Sequence, residues 1–459
     1  MADKNKAKFM PSFFHVGPEQ IEAAKKLTEA DFQLADEEEK ESVIQRRKSV
    51  SYWRDAFRRF RENTVSMVAL FVFFIIVLFT FVGPMLIPYD YSSQYRTSAK
   101  LSPMDNSEDE KAVDGLLKSG VDAVYATLLQ PGSLTALRAG DYYFNFKGET
   151  YSFSLDKNLA KASIVVDLDQ PEVLSILTDK NLKAGTYTKT KPLAYTTGAP
   201  SDTANEIKVV KKIFPHVFGT DTAGRDIMAR TMYGGRVSLT VGITAALIVL
   251  VIGATYGSIS GLAGGKVDFV MMRVVDVIYS VPDVLIVLLL QVVLKNPLQA
   301  WFDSSTSPFV QRLGDLGGGI ISIFITFALL YWVGMARIVR GQVLQLKEQE
   351  FITAATAIGV SNARIIKRHL LPNSIGQIVV ATALQIPSAI FLESFLSFLG
   401  LGVSAPMASL GSMCSDGLDT ITIYPYRLMA PAIILTVLVL SLNLVGDGLR
   451  DALDPRLKQ

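Results

Sequence analysis

Residues 350–373 read EFITAATAIGVSNARIIKRHLLPN, a polar, basic, helix-forming stretch wedged between two long apolar runs. Ala354 and Ala355 are small enough to let another helix approach closely. Gly359 can take positive φ and so end a first short helix. Ser361 or Asn362 can cap a second. In that second helix Ile365, Ile366 and His369 make one partly apolar stripe, which leaves Arg364, Lys367 and Arg368 to water or to acidic partners. Pro372 removes a backbone donor and stops the segment, and Asn373 can cap the next span. The spacing predicts two short helices around a fixed bend, held at a membrane face for something to grip. The competing reading is an amphipathic loop lying on anionic lipid.

The case for a membrane comes from the runs that flank this stretch. Of the 459 residues 49% are hydrophobic, and they are gathered into long runs. An uncharged run of about 20 residues matches the hydrocarbon thickness of a bilayer. Such runs extend over Val65–Ile87, Val237–Gly265, Leu316–Ala336, Ser374–Leu392 and Leu428–Gly446. Val274–Leu294 is nearly as apolar but carries Asp276 and Asp283. The expectation is an all-α polytopic membrane protein with six transmembrane helices.

Charge orients it. Seven basic residues (Arg46, Arg47, Lys48, Arg54, Arg58, Arg59, Arg61) face Asp55 alone just before the first run. Basic flanks favour the cytoplasmic side, so six crossings put both termini inside. The segment between the fourth and fifth runs is then also inside, with Arg340, Lys347, Arg364, Lys367 and Arg368, while Lys295, Arg312 and Arg427 lie at outer loops. The first residues lack an apolar signal-peptide core, so the first span is expected to act as an uncleaved anchor. The lone Cys414 excludes an intrachain disulfide.

Four regions result. Residues 1–62 form a cytosolic arm in which IEAAKKLTEADFQL and DEEEKESVIQRRK favour helix. Residues 63–88 form the first span. Residues 89–215 form an extracellular insert with a small α+β fold: DYYFNFKGETYSFSL reads as a β-hairpin, ASIVVDLD and GTYTKTKPL as strands, and VDAVYATLLQ as a helix. Residues 216–459 form the core with spans two to six and the cytosolic loop 340–373. At its start, FGTDTAGRDIMARTMYGGRVSL suggests a short helix on the outer membrane face, with Asp226 favourable at its N-terminus.

Several chemistries are excluded. GLAGGKVD is a failed phosphate loop, because Ser260 and Val267 stand where Gly and Ser or Thr are needed. HExxH and paired CxxC are missing, and His15, His216 and His369 are dispersed by the topology, so no metal or hydrolytic site is expected. A net charge of +2 gives no field for nucleic acid. Ionisable residues inside spans call for a role. Arg273 and Asp276, three apart, can pair. Asp283, Gln385, Ser388, Glu393 and Ser397 suit either a polar stripe along a water-filled path or interhelical hydrogen bonding.

At residues 350–373 the chain resembles the inner-membrane permeases of binding-protein-dependent ABC importers. That family's loop motif runs Glu-Ala-Ala, three residues, Gly, nine residues, Ile, any residue, Leu, Pro. Thr353, Ala354, Ala355, Gly359, His369, Leu371 and Pro372 fall on this spacing, with Thr353 replacing the acid and His369 the isoleucine. GTDTAGRDIMARTMYGGRVSL, SFLGLGVSAPMASLGSM and NLVGDGLRDALDPRL resemble the second permease subunit of the oligopeptide, dipeptide and nickel subgroup. The resemblance covers about residues 50–90 and 216–459, and not the arm or most of the insert, which typical members lack. It implies a six-helix permease in a prokaryotic plasma membrane, paired with a second permease subunit. It also implies two ATPase subunits, which hold the ATP and Mg, a coupling helix within residues 350–373, and an extracellular solute-binding protein. The permease itself makes and breaks no bond.

The resulting expectation is a peptide-importer permease. Alternatives left open are a nickel or other small-solute importer of the same class, an ion-driven carrier or channel using Asp283 and Glu393, and an anchored outer receptor.

Overall fold

The structure, a computed structural model, describes residues 52–92, 98–107, 213–403 and 407–453, with strands and short stretches of the segment between 94 and 210. The chain divides into Met1–Asp55 and Ala56–Gln459, and the six spans and all the strands belong to the second unit. The helices expected in the arm lie outside the described residues.

Among the described residues six helices are long and apolar enough to cross a membrane: Thr64–Phe81, Ile227–Ala263, Asp283–Ser304, Gly318–Lys347, Ile375–Phe398 and Tyr426–Leu453. All six overlap the apolar runs, but two boundaries differ instructively. The second span begins at Ile227 rather than Val237, so the expected outer surface helix is the first part of the span itself. Asp226 starts it by accepting a hydrogen bond from the Ala229 amide at 2.6 Å. Gly234 and Gly235 do not interrupt it, since they are contact points: a Cβ on Gly235 would lie 2.5 Å from Thr80 of the first span. The third span begins at Asp283 rather than Val274. Val281 and Pro282 are extended and separate it from a preceding helix, Gly265–Ser280, because proline disfavours helix in the residue before it.

The second span is the hub. Gly253, Gly257 and Gly261 recur every fourth residue and face the fourth span, where added Cβ atoms would collide with Met335, the Ala336 carbonyl and Val343. Lipid is as apolar as leucine, so helices in a bilayer are held by close packing of small residues. The buried core runs through Val241, Ala245, Val249, Ile323, Phe327 and Val339. Gln291 of the third span accepts from Ser322 of the fourth at 2.5 Å, which satisfies polar groups that lipid cannot.

The insert is a β structure over its described strands. A five-stranded antiparallel sheet runs in the order Val209–Val210, Ala123–Val124, Ala162–Val166, Val173–Thr178, Leu193–Ala194. A four-stranded sheet runs Asn205–Glu206, Gly140–Phe146, Glu149–Leu155, Thr196–Thr197, with its first pair parallel. Ala136–Leu137 pairs with Leu159–Ala160. The expected hairpin is present with Phe146 opposite Glu149, and Gly148 in its turn has φ +88°. Tyr142 faces Phe153 and Phe144 faces Tyr151 across it, all four buried. The helix expected over VDAVYATLLQ is replaced at Ala123–Val124 by a strand between two partners; pairing outweighs local propensity. Of the strand expected over GTYTKTKPL, Leu193 alone falls among the described residues, and it pairs with Leu174.

Candidate functional site

The elbow is built from two helices and a bend. Glu350–Ala357 is helical and ends at Gly359, whose φ is +80°. The Gly359 amide donates to Thr356 and the Val360 amide to Ala355, both near 3 Å. This pair of bonds is the Schellman stop, and it requires a left-handed residue after the cap. Space is not what selects glycine there, because an added Cβ would meet nothing within 4 Å.

The second half departs from expectation. Ser361 occupies the N-cap by backbone, but its side chain makes no capping bond, and Asn362 is already helical. Pro372 does not stop the chain. Residues 362–365 run into a π-helical turn, Ile366–Leu370, then Leu371–Asn373 and the fifth span. The wider turn relaxes the i to i−4 ladder where proline has no donor. Asn373 does not cap the next span; its Nδ2 donates back to the His369 carbonyl at 2.6 Å.

One side of the elbow is anchored. Ile352, Ala355, Ile365 and Leu370 are buried, and Ile352, Ile365 and Leu370 join the core with Val339 and Val343 of the fourth span. The Phe351 and His369 rings, 6.5 Å apart, join its two halves. The other side is bare: Thr353, Ala354, Gly359, Ser361, Asn362, Arg364 and Pro372 are exposed, with His369 and Leu371 half-buried. Sequence reading missed Ile358, which is 81% exposed at the bend, and Phe351, 43% exposed. Their seven-residue spacing was the available signal, since it puts both on the face of Ala354.

Next to the elbow an ionic clamp fixes the helices it meets. Arg340 holds Asp268 through two parallel bonds of 2.5 and 2.6 Å, and this hydrogen bonding keeps the Asp268 carboxyl below its ordinary range. Asp276 has Arg337 at 3.0 Å, closer than the expected partner Arg273 at 4.0 Å.

The polar positions within the spans divide. Asp283 and Gln385 line a single cavity of about 570 Å³ together with Tyr279, Pro282, Tyr331 and Gly334. Ser388 is exposed but bonds its own helix at Leu384. Glu393 and Ser397 are fully buried. Glu393 accepts from Ser238 of the second span and from Ser397, both at 2.7 Å, and Val403 donates to Ser397. Glu393 thus ties the fifth span to the second, and Ser397 links it to the loop that follows.

At the opposite end of the bundle, the stem of the insert grips the core. His216 is buried between Asp226 at 2.7 Å and Glu110 at 3.2 Å, with the Tyr89 ring stacked 4.2 Å away. Burial opposes its charge, but the two carboxylates outweigh that and raise its pKa to about 9. Among the described residues no cluster of His, Cys, Asp or Glu is arranged to hold a metal.

Comparison with known proteins fits this architecture. The family described as binding-protein-dependent transport system inner membrane component matches residues 253–459, and the N-terminal TM domain of oligopeptide transport permease C matches residues 51–103. The chain is 46% identical over 244 residues to the oligopeptide transport system permease protein OppC of Bacillus subtilis (strain 168), covering 53% of this chain and 73% of that protein. It is 33% identical over 408 residues to the dipeptide transport system permease protein DppC of Lactococcus lactis subsp. cremoris (strain MG1363), covering 89% and 92%. A chain of the MetNI methionine ABC transporter matches with TM-score 0.35 and 18% identity over 50% of this chain and 98% of its own. The chain therefore belongs to the binding-protein-dependent transport permeases, in the C-type group of oligopeptide and dipeptide permeases. The Lactococcus match leaves fewer residues unpaired than the segment 89–215 contains, so most of the insert is shared with that relative. The resemblance therefore reaches further than the motifs alone suggested.

Proposed function

We propose that this chain is the pore-forming permease subunit of an ATP-driven peptide importer. It pairs with a second permease, takes its energy from two ATPase subunits that bind ATP and Mg, and receives cargo from an extracellular solute-binding protein. The elbow lies on the cytoplasmic side with both termini, in the plasma membrane of a prokaryote, and the insert faces outward. The observation that carries this reading is the elbow itself. Its inner face is packed into the core of the second and fourth spans, while its outer face presents Ile358 and Phe351 to water. A solvated loop has no reason to expose isoleucine at a fixed bend, but a docking lever has. Rigidity matters because a floppy loop absorbs displacement as conformational entropy. The cavity at Asp283 and Gln385 supports a place on the substrate path. The ion-driven carrier loses one of its two acids, because the Glu393 carboxylate is taken up by serines.

Copurification tests the assembly. The tagged chain should bring down two ATPases and a second permease, and its transport should stop when ATP hydrolysis is blocked. Transport that continues with the ATPases removed would refute the reading. A peptide-length series with a nickel control assigns the cargo.

A further inference from the structure

The cavity of about 570 Å³ lies where the helical path is broken. The helix Gly265–Ser280 ends at it, Val281 and Pro282 are extended, and the third span starts from it at Asp283. Two further walls, Tyr331 and Gln385, stand near the middle of the fourth and fifth spans. The break therefore lies at mid-membrane depth. Irregular backbone is tolerated there only where it is buried in protein or lines a cavity, and helices broken at that depth build the substrate sites of many carriers.

Among the described residues that line this cavity, Asp283 alone is charged. Its side chain is exposed, and Oδ1 accepts from the Val284 amide at 2.9 Å. Oδ2 has no hydrogen-bond partner among the described residues. Other acids of the bundle are in a different condition. Arg340 holds Asp268, Arg337 holds Asp276 at 3.0 Å, and serines hold Glu393. Arg337 also covers the Tyr279 ring at 4.3 Å, so this cation is already engaged beside the cavity. An unpaired acid at membrane depth is costly against lipid. The third span is the least buried of the six, so the acid stands on a side of the bundle that the chain leaves uncovered.

We propose that Asp283 takes the α-ammonium of the transported peptide and so determines specificity for a free amino terminus. The inference rests on the reading of the chain as a peptide permease, and it assigns the chemistry of the cavity already placed on the substrate path. Three features select this ligand. One carboxylate matches one ammonium, whereas a divalent metal asks for several oxygen ligands. Gln385 adds a carbonyl acceptor and Tyr331 an aromatic face, both suited to an ammonium. The volume falls within the ~300–1,000 Å³ of small-molecule pockets, which admits a short peptide and no folded element. Every unmodified peptide carries the same ammonium, so recognition there leaves the side chains free to vary.

The test uses the full chain with its copurified partners in lipid nanodiscs, titrated calorimetrically with trialanine and N-acetyl-trialanine in the absence of any solute-binding protein. The wild type should bind trialanine roughly ten- to a hundredfold more tightly, the usual worth of a charged hydrogen bond. Asp283→Asn should bring the two affinities together, and Asp283→Glu, which keeps the charge, should restore the preference. Melting temperature and retention of the second permease are read on the same preparations.

Equal affinity in the wild type, or binding of neither peptide at millimolar concentration, overturns the assignment without recourse to a variant. So does an Asp283→Asn protein that keeps the preference. Loss of the second permease from Asp283→Asn, with the preference unchanged in what remains, overturns it too, since that assigns the carboxylate to a cation of the neighbouring subunit. Uptake by the wild type separates the two levels. A wild type that transports no peptide removes the functional reading, whereas transport with no distinction between free and acetylated termini removes the role of Asp283 alone.

Discussion

Two adjacent residues at the bend allow the proposed bend and the proposed docking surface to be tested separately. Gly359 sits at φ +80° in open space, so any side chain there meets backbone strain of roughly 1–2 kcal/mol without a clash. Gly359→Val should therefore fold and reach the membrane, yet reshape the bend and abolish uptake. Full uptake at normal expression would mean that the bend does not transmit the stroke. Ile358 is the complement, 81% exposed with an unstrained negative φ of −84°. Ile358→Ser should change stability by no more than about 0.5 kcal/mol. It should nevertheless lower both ATPase copurification and transport, measured on one preparation. Retention of partners at wild-type level would take Ile358 out of the docking surface.

Among elements, the contact between the second and fourth spans is a tight constraint. A Cβ on Gly257 would lie 3.0 Å from the Arg340 amide and closer still to the Ala336 carbonyl, and backbone cannot step aside as a side chain can. Gly257→Val should force the helices apart and prevent accumulation of folded protein. Gly341, on the fourth span, has nothing within 4 Å, so Gly341→Ala should be neutral or stabilising by up to about 1 kcal/mol. Membrane-fraction yield and detergent melting of the pair decide this. Similar yields for both variants would show that glycine packing does not hold the bundle. The clamp from Arg340 to Asp268 ties the same fourth span to the helix Gly265–Ser280 that precedes the third span.

For the whole molecule, the attachment of insert to permease is an electrostatic latch. His216 has its pKa raised from 6.5 to about 9 by Asp226 and Glu110 acting against its burial. A raised folded pKa means that the charged form stabilises the native state. The contribution is complete below about pH 6.5 and disappears as pH rises through about 9. Backbone bonds from Met104 to His216 and from His216 to Asp105 report on it. Hydrogen exchange corrected for intrinsic rate should show these amides losing protection between about pH 7 and about pH 9.5. In His216→Asn the protection should be lower and independent of pH. Equal protection in the wild type at both pH values would show that the latch does not depend on the imidazolium.

The sequence alone determined the number of spans and the elbow. Both rest on short-range physics: an uncharged run must match the bilayer, and a glycine after a small-residue helix supplies the left-handed stop. The hairpin was legible for the same reason, from alternation around Lys147 and Gly148. Tertiary structure decided the rest. Glu393 and Asp283 look alike in sequence, yet one is held by Ser238 of another helix and Ser397 of its own, and the other opens into a cavity. Gly234 and Gly235 look like breaks but are contacts, because only packing against the first span and against Ser409 gives them a reason. Arg427 donates to the Thr220 carbonyl at 3.1 Å from 207 positions along the chain, and no local pattern encodes that meeting.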